Sequence, residues 1–326
     1  VRKVKITGMG KYLPKAIVHS DEIDRLLAVE PGWTKKKSGV EKRHYAKSET
    51  ASDMGAEAVK KALQNADTTL DEIDAIICTS GTMEQPIPCT ASLIHKKLAP
   101  ARPIPAFDIN STCLSFVTGF DLISHAVANG TYKKVVIVAS EIASVGLNRE
   151  QKESYVLFGD AAAACVVETA DEETTGILAA KMETYSEGAH LTEIRGGGTK
   201  YHPNFHHNEQ DFLFDMDGQK VFRMSSKVIN PFVDELLQEA DLSIKDLKAV
   251  VPHQASGMAM RLLQKKLGIP SSQFINVIEN YGNTIAASIP LALCDAIESG
   301  KIQRGDHVML LGTSAGLSLG GMIFVY

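Results

Sequence analysis

At 326 residues, 44% apolar and 22% charged, the chain can bury one large or two medium cores, and its composition is not that of a disordered or fibrous protein. A formal charge of −5 excludes the basic balance of a nucleic-acid or anionic-membrane binder, so neither partner is expected. No apolar run is long enough to span a bilayer, and Val1-Arg2-Lys3 leads into a strand-like run rather than a signal peptide. The five cysteines (Cys78, Cys89, Cys113, Cys165, Cys294) are odd in number and scattered, with no CxxC pair, so a cytoplasmic chain without disulfides or a cysteine metal site is expected.

In chain order, Lys3 to Thr7 alternates polar and apolar as a first strand, with Gly8-Met9-Gly10 as its exit loop. Ser20-Asp21-Glu22 has the composition of a helix start. Gly32 to Gly39 reads as a loop carrying the only tryptophan, Trp33, beside three lysines. It suits a flat partner next to phosphate, or is simply a solvated basic loop. Thr50 to Ala66 is a helix with small residues along one side, Ile73 to Ser80 an apolar strand, and Met83 to Pro88 a loop. Ile104 to Ile109 is strand-like, and Leu114 to Ala128 is a buried helix. Lys133 to Ser140 and Ala161 to Val167 are further buried strands. Apolar strands alternating with helices imply an α/β sheet covered on both faces. Gly196 to Asp215 is loop-rich. Its His202, His206 and His207 match no standard zinc spacing and read as a surface loop, so no metal is expected.

Leu63 to Ile77 reappears as Leu237 to Val251, with Leu, Gln, both Ala and the first Asp identical. The segment from Cys113 to Gly130 answers that from Asn283 to Gly300, and Val135 to Ser140 answers His307 to Gly312. Two α/β halves in tandem are expected, residues 1–170 and 171–326, with equivalent strand ends converging on one centre. Cys113 and Asn283 then occupy corresponding positions, and His253 stands at a strand end of the second half.

Cys113 directly precedes a helix, where unpaired N–H groups and the helix dipole favour a thiolate; as a lone cysteine it reads equally as a small core residue. Convergence with His253 and Asn283 favours chemistry. A cysteine takes up an acyl group as a thioester, and a neutral imidazole and a carboxamide donate to an oxygen that becomes negative. The backbone N–H groups of Cys113, Ala315 and Gly316 are candidates for an oxyanion hole. No acidic partner for His253 stands out, against a protease-like triad.

The chain resembles the thiolase superfamily and, within it, the β-ketoacyl-acyl carrier protein synthase III group. The resemblance rests on Cys113 within Asp108 to Phe116, Phe158-Gly159-Asp160-Ala161-Ala162, Pro252-His253-Gln254-Ala255, Gly282 to Pro290, and the glycine-rich Gly312 to Gly321. It implies a duplicated five-layer αβαβα fold, a homodimer, and no cofactor. The implied reaction is a decarboxylative Claisen condensation in which acyl-CoA loads Cys113 and a malonyl thioester on acyl carrier protein, or on CoA, loses CO₂ and attacks. By matching position Cys113 is the nucleophile, while His253 and Asn283 promote decarboxylation. Trp33, Lys37 and Lys152 lie where the family holds the nucleotide of CoA. Gly218, Phe222 and Ala255 match its pantetheine tunnel, and Ile87 the residue closing the partner subunit's acyl pocket.

Departures from the pattern bear on the substrate. Ser256 replaces an asparagine, and Met258 replaces an arginine associated with carrier-protein docking; Arg261 stands a helical turn away. Lys37 and Lys152 replace arginines, keeping charge but losing the planar fork. Ile87, an aliphatic in place of a ring, suits a longer or branched acyl chain. Glu84 resembles the loop carboxylate of olefin-pathway enzymes but is out of register, and reads as a solvated glutamate. A non-decarboxylative Claisen enzyme or acyltransferase is the alternative. A catalytically dead partner subunit has no need of Cys113, His253 and Asn283 together.

Overall fold

The computed structural model describes residues 1–172 and 174–326. The first part runs β1 (Val4–Tyr12), β2 (Ala16–His19), α1 (Ser20–Leu27), α2 (Trp33–Ser38), β3 (Lys42–Tyr45), α3 (Ala51–Asn65) and β4 (Ala75–Cys78). It continues with α4 (Thr90–Leu98), β5 (Ala106–Asp108), α5 (Ser115–Ala128), β6 (Lys134–Glu141), α6 (Lys152–Tyr155) and β7 (Ala161–Thr169). Then follow β8 (Gly176–Thr184), β9 (Thr192–Glu193), β10 (Asp215–Met216), α7 (Gly218–Glu239), β11 (Ala249–Pro252) and α8 (Gly257–Leu267). The chain ends with α9 (Ile278–Tyr281), α10 (Ser288–Glu298), β12 (His307–Ser314) and β13 (Ser318–Val325).

The strands form a five-stranded sheet, β1-β7-β6-β4-β5, and a four-stranded one, β11-β12-β13-β8. In each, one parallel pair (β4/β6, β11/β12) is followed by two antiparallel ones (β6/β7 and β7/β1; β12/β13 and β13/β8). The counterpart of β5 is reduced to a single bridge, Val250 to Phe274. Alternation along the strands supplies both faces. Val135 and Ile137 of β6 join Phe116 and Phe120 of α5, Ile289 and Leu293 of α10, and Leu310 of β12 in a central core. Val136 and Val138 turn outwards under α3 and α4. Met309 and Leu311 of β12 turn outwards under α7 and α8. Helices thus lie between the sheets and on both outer faces, the five-layer αβαβα arrangement.

The repeat is kept in fine detail. After α3 and α7, Asp67 and Asp241 both adopt left-handed backbone, with φ of 48° and 53°. Each is followed by a capped 3-10 turn, Thr69 pairing with Glu72 and Ser243 with Asp246. One expected correspondence is corrected. The turns before α5 and α10 align through their positive-φ residues, Thr112 (54°) and Ile285 (51°). Cys113 therefore matches Ala286, and Asn283 matches Asn110. Helix α10 has 11 residues against 14 in α5, so alignment through the glycines after the helices misplaces the turn by three.

Two local expectations also change. Gly8 and Gly10 are not an exit loop but lie inside β1, where α3 packs against them. A Cβ on Gly8 would lie 2.4 Å from the Ala66 nitrogen, and one on Gly10 2.3 Å from the Ala58 oxygen. Trp33 opens the short helix α2, bounded by Gly32 and Gly39 in left-handed backbone, rather than lying in a loop.

Candidate active site

Cys113 lies in the 3-10 turn Thr112–Leu114, which packs against the turn Ile285–Ala287 and against β12. Leu114 is buried and the Cys113 residue is partly exposed. The expected thiolate is not what the surroundings favour. Burial and the nearby Glu141 carboxylate push the thiol up to about 12, against the pull of the Cys113 and Ala315 backbone N–H groups that face it. The helix proper starts only at Ser115, so loss of water outweighs the dipole at the sulfur. The same two N–H groups face the sulfur itself. Gly316, with φ of 140°, follows them.

His253 leaves β11 with its backbone N–H bonded to Leu311 O at 2.8 Å. Its ring is buried, which pulls it down to about 4, so the imidazole is neutral near neutral pH. Nδ1 lies 2.6 Å from Ser288 Oγ, and the Gln254 N–H donates to that oxygen at 3.4 Å. A hydroxyl that gives its hydrogen to Nδ1 leaves the ring proton on Nε2, where the imidazole can donate. Ser288 is thus the orienting partner that the search for an acid misses; it was visible in the Gly282 to Pro290 motif but not as a ligand of the ring.

Asn283 is held at both ends of its amide. Oδ1 accepts from Ile285 N at 2.9 Å and Nδ2 donates to Ala255 O at 3.3 Å, leaving one Nδ2 hydrogen uncommitted by these bonds. Its twin Asn110 makes the same pair, with Thr112 N at 2.8 Å and Gly81 O at 3.4 Å. Gly312 joins the elements: a Cβ there would lie 2.9 Å from His253 Cβ and 3.1 Å from Leu114 Cδ2. A narrow cavity of about 80 Å³ runs between α7 and α8 to this point, its wall including Phe222, Leu262, Ala255, His253 and Gly312. Cys113 and Asn283 are not part of that wall. Phe222 and Leu262 at the helices are partly exposed and His253 is buried, so the passage leads inwards from solvent.

The other predicted residues are distributed around it. Gly218 opens α7 outside the cavity wall, next to the N-cap Asp217. Trp33 is half-buried, with Lys37 Nζ 5.8 Å from its ring centre. Lys37 is paired with Glu153 at 2.7 Å, and Lys152 donates to Leu27 O at 2.9 Å. Helix α2 meets α8 where Gly39 and Gly257 touch, while Trp33 at its other end packs against the cluster of Ile23, Leu27, Tyr155 and Val156. Met258 is 54% exposed, and Ser256 keeps a capping role by accepting from Ala259 N. Ile87 is 84% exposed and Met83 57%. Glu84 is not the solvated glutamate expected: it accepts from Ser52 N at 2.6 Å in the first turn of α3. His206 stacks on Tyr201 and bonds Asp211, and among the described residues no cluster of three His, Cys, Asp or Glu is arranged for a metal. Glu141, at the end of β6, escaped notice because a glutamate closing a strand reads as a solvated exit residue. It is fully buried beside the Cys113 turn, and burial raises it to about 7.

Two family models match, 3-oxoacyl-[acyl-carrier-protein (ACP)] synthase III over residues 107–186 and its C-terminal counterpart over 237–326. The β-ketoacyl-[acyl-carrier-protein] synthase III of Clostridium perfringens (strain SM101 / Type A) is 34% identical over 325 residues, covering 99% of both chains. The crystal structure of 3-oxoacyl-[acyl-carrier-protein] synthase III from Aquifex aeolicus VF5 superposes with a TM-score of 0.90 at 31% identity, covering 99% of this chain and 100% of that one. The priming β-ketosynthase of the R1128 polyketide biosynthetic pathway gives 0.91 at 28%, covering 99% and 96%. One residue in three is shared from end to end, on one duplicated scaffold, and the chain belongs to the β-ketoacyl-[acyl-carrier-protein] synthase III family.

Proposed function

We propose that the protein loads an acyl group from acyl-CoA onto Cys113 and condenses it with a malonyl thioester to a β-ketoacyl thioester. The observation that carries this is the buried His253, its Nδ1 held by Ser288 Oγ at 2.6 Å, at the inner end of a narrow passage and beside the turn that holds Cys113. In the first step the sulfur attacks the thioester carbonyl and the C–S bond to CoA breaks. The thiol proton ends on the CoA sulfur. The N–H groups of Cys113 and Ala315, with Gly316 next in line, serve the tetrahedral oxygen. In the second, the malonyl thioester loses CO₂. His253 Nε2–H and the remaining Asn283 Nδ2–H donate to the enolate oxygen, and its carbon displaces Cys113 as thiolate, which takes a proton from solvent. His253 acts here as a donor, because a ring with its proton on Nε2 and a low affinity for another is a poor base.

Trp33, Lys37 and Lys152 are assigned to the CoA nucleotide, and Gly218, Phe222 and Ala255 to the pantetheine arm. The division at residues 1–170 and 171–326, with the nucleophile in the first part and His253 and Asn283 in the second, belongs to the same reading, as does a cytoplasmic setting. A homodimer is proposed from the exposed loop Met83 to Pro88, whose Ile87 is left uncovered in a single chain and is assigned to the partner's acyl pocket. The malonyl group is taken to ride on acyl carrier protein, which appears in the relatives' names. Acyl-CoA, malonyl thioester and carrier protein are substrates and partners; no cofactor is assigned.

Intact-mass analysis with a panel of acyl-CoAs tests the first step, and CO₂ release on adding malonyl-CoA or malonyl-carrier protein tests the second. Acylation lost in Cys113→Ala, with CO₂ release from the loaded enzyme, is expected. No acylation across the panel, or product without CO₂, overturns the proposal.

A further inference from the structure

Glu141 closes β6, 0% exposed, and its hydrogen-bond donors among the described residues are all neutral. One oxygen accepts from Gly81 N at 2.5 Å, the other from Thr82 N at 3.1 Å and Thr82 Oγ1 at 2.5 Å. The N–H of Ala286, the counterpart of Cys113, also faces the carboxylate. Gly81 has no room for a side chain: a Cβ would lie 2.7 Å from Ile285 Cγ2 and 3.2 Å from the carbonyl of Thr112, the residue before Cys113. The segment held in this way is the root of the loop that carries Ile87.

We propose that Glu141 is a positioning residue of the condensing site: its buried carboxylate pins Gly81 and Thr82 between the two turns and sets how readily the Cys113 thiol ionises. This rests on the reading of Cys113 as the nucleophile. A carboxylate stripped of water is costly unless fully bonded, which explains the concentration of donors on it. Its charge acts across a water-poor gap on the sulfur, and Glu141 is among the causes that push Cys113 up. The titratable groups facing it are Cys113 on its turn and Cys78 on β4, while β7 offers Ala161 opposite and the second turn Ala286. A brace without electrostatic effect would hold the loop and leave the thiol's ionisation alone, and the test separates the two.

The rate of iodoacetamide alkylation at Cys113, resolved by peptide mass spectrometry, is measured against pH in the full chain. Glu141→Gln is expected to lower the midpoint by about one unit, making alkylation about tenfold faster below it. Glu141→Asp keeps the charge and is expected to restore a midpoint near that of the wild type. Thr82→Val removes a donor from the carboxylate and leaves Glu141 neutral to higher pH; the midpoint, where Glu141 is charged either way, is expected to stay, while the flattened step that Glu141 ionisation puts in the wild-type rate–pH profile just above about 7 moves upward. Loosened packing alone speeds alkylation at every pH with the midpoint unmoved, and that result in Glu141→Gln overturns the proposal. If Glu141→Gln does not fold, that step decides: a wild-type profile without it, or a step that Thr82→Val does not move, overturns the proposal. Alkylation needs no acyl-CoA, so a protein that fails to load any acyl group refutes the function proposed above without touching this result.

Discussion

Ser288→Ala removes the only side chain, among the described residues, that bonds the His253 ring and leaves the backbone of the site in place. The bond is 2.6 Å long and buried, so Nδ1 is left without a partner, a loss of about 1–3 kcal/mol. If that stabilisation is used when the ring donates to the enolate, condensation slows by about five- to 150-fold. Without the hydroxyl, both neutral tautomers become accessible, and only molecules with the proton on Nε2 are competent. Acyl loading does not use the ring as donor and is expected to stay within about twofold of wild type. The assay separates the half-reactions: intact mass for Cys113 acylation, CO₂ release by pre-acylated enzyme for condensation. Nitrogen-15 NMR of labelled histidine reads the tautomer directly. Equal losses in both steps, or an Nδ1-protonated ring in the wild type, would refute the assigned role.

The neutral, buried His253 makes its own pH prediction. Between about 4 and the ordinary histidine value the unfolded chain binds the proton and the folded one does not, so its contribution to stability is lost as pH falls through that window. Glu141 acts with opposite sign: its folded value, about 7, lies above the free carboxylate's, so between the two its contribution falls as pH rises. Denaturant titrations from pH 4 to 8 should lose the first slope in His253→Asn and the second in Glu141→Gln. Gly10→Ala forces a methyl against the α3 backbone and is expected to cost about 1–3 kcal/mol, read as a lower melting temperature with no change in the pH–rate profile. Lys37→Ala removes a largely exposed cation whose partner is Glu153, so the expected effect is a rise of less than about tenfold in KM for acyl-CoA, with kcat unchanged. Ile87→Phe is expected to narrow loading toward short acyl-CoAs, and equal loading of short and long chains by the wild type would count against its pocket role.

The buried strands were legible because they are continuous apolar runs bounded by glycine and polar residues, and the tandem repeat because Leu63 to Ile77 returns without a gap. The motif around Cys113, His253 and Asn283 was legible as residue types. What those residues experience was not. Helix-terminus reasoning at Cys113 considers the dipole and misses the burial imposed by the second turn and the charge of Glu141, neither of which is local in sequence. Gly8 and Gly10 signal a turn locally; only the approach of α3 makes them strand residues. Ser288 and Glu84 share the same lesson. Each is an ordinary polar residue until the fold brings a ring or a helix start within hydrogen-bond distance.

Thr112 and Ile285 share one unfavourable backbone geometry, and each is stabilised by its own asparagine, yet only the first stands next to a thiol. The contortion beside the nucleophile therefore comes with the scaffold, because its copy stands ahead of Ala286, where there is no thiol. What distinguishes the halves is chemical dressing: the first has sulfur where the second has a methyl, and the second has an imidazole after its strand where the first has Thr79. Evolution of a new activity on this framework is thus expected to exchange side chains at matched corners and leave the chain path alone.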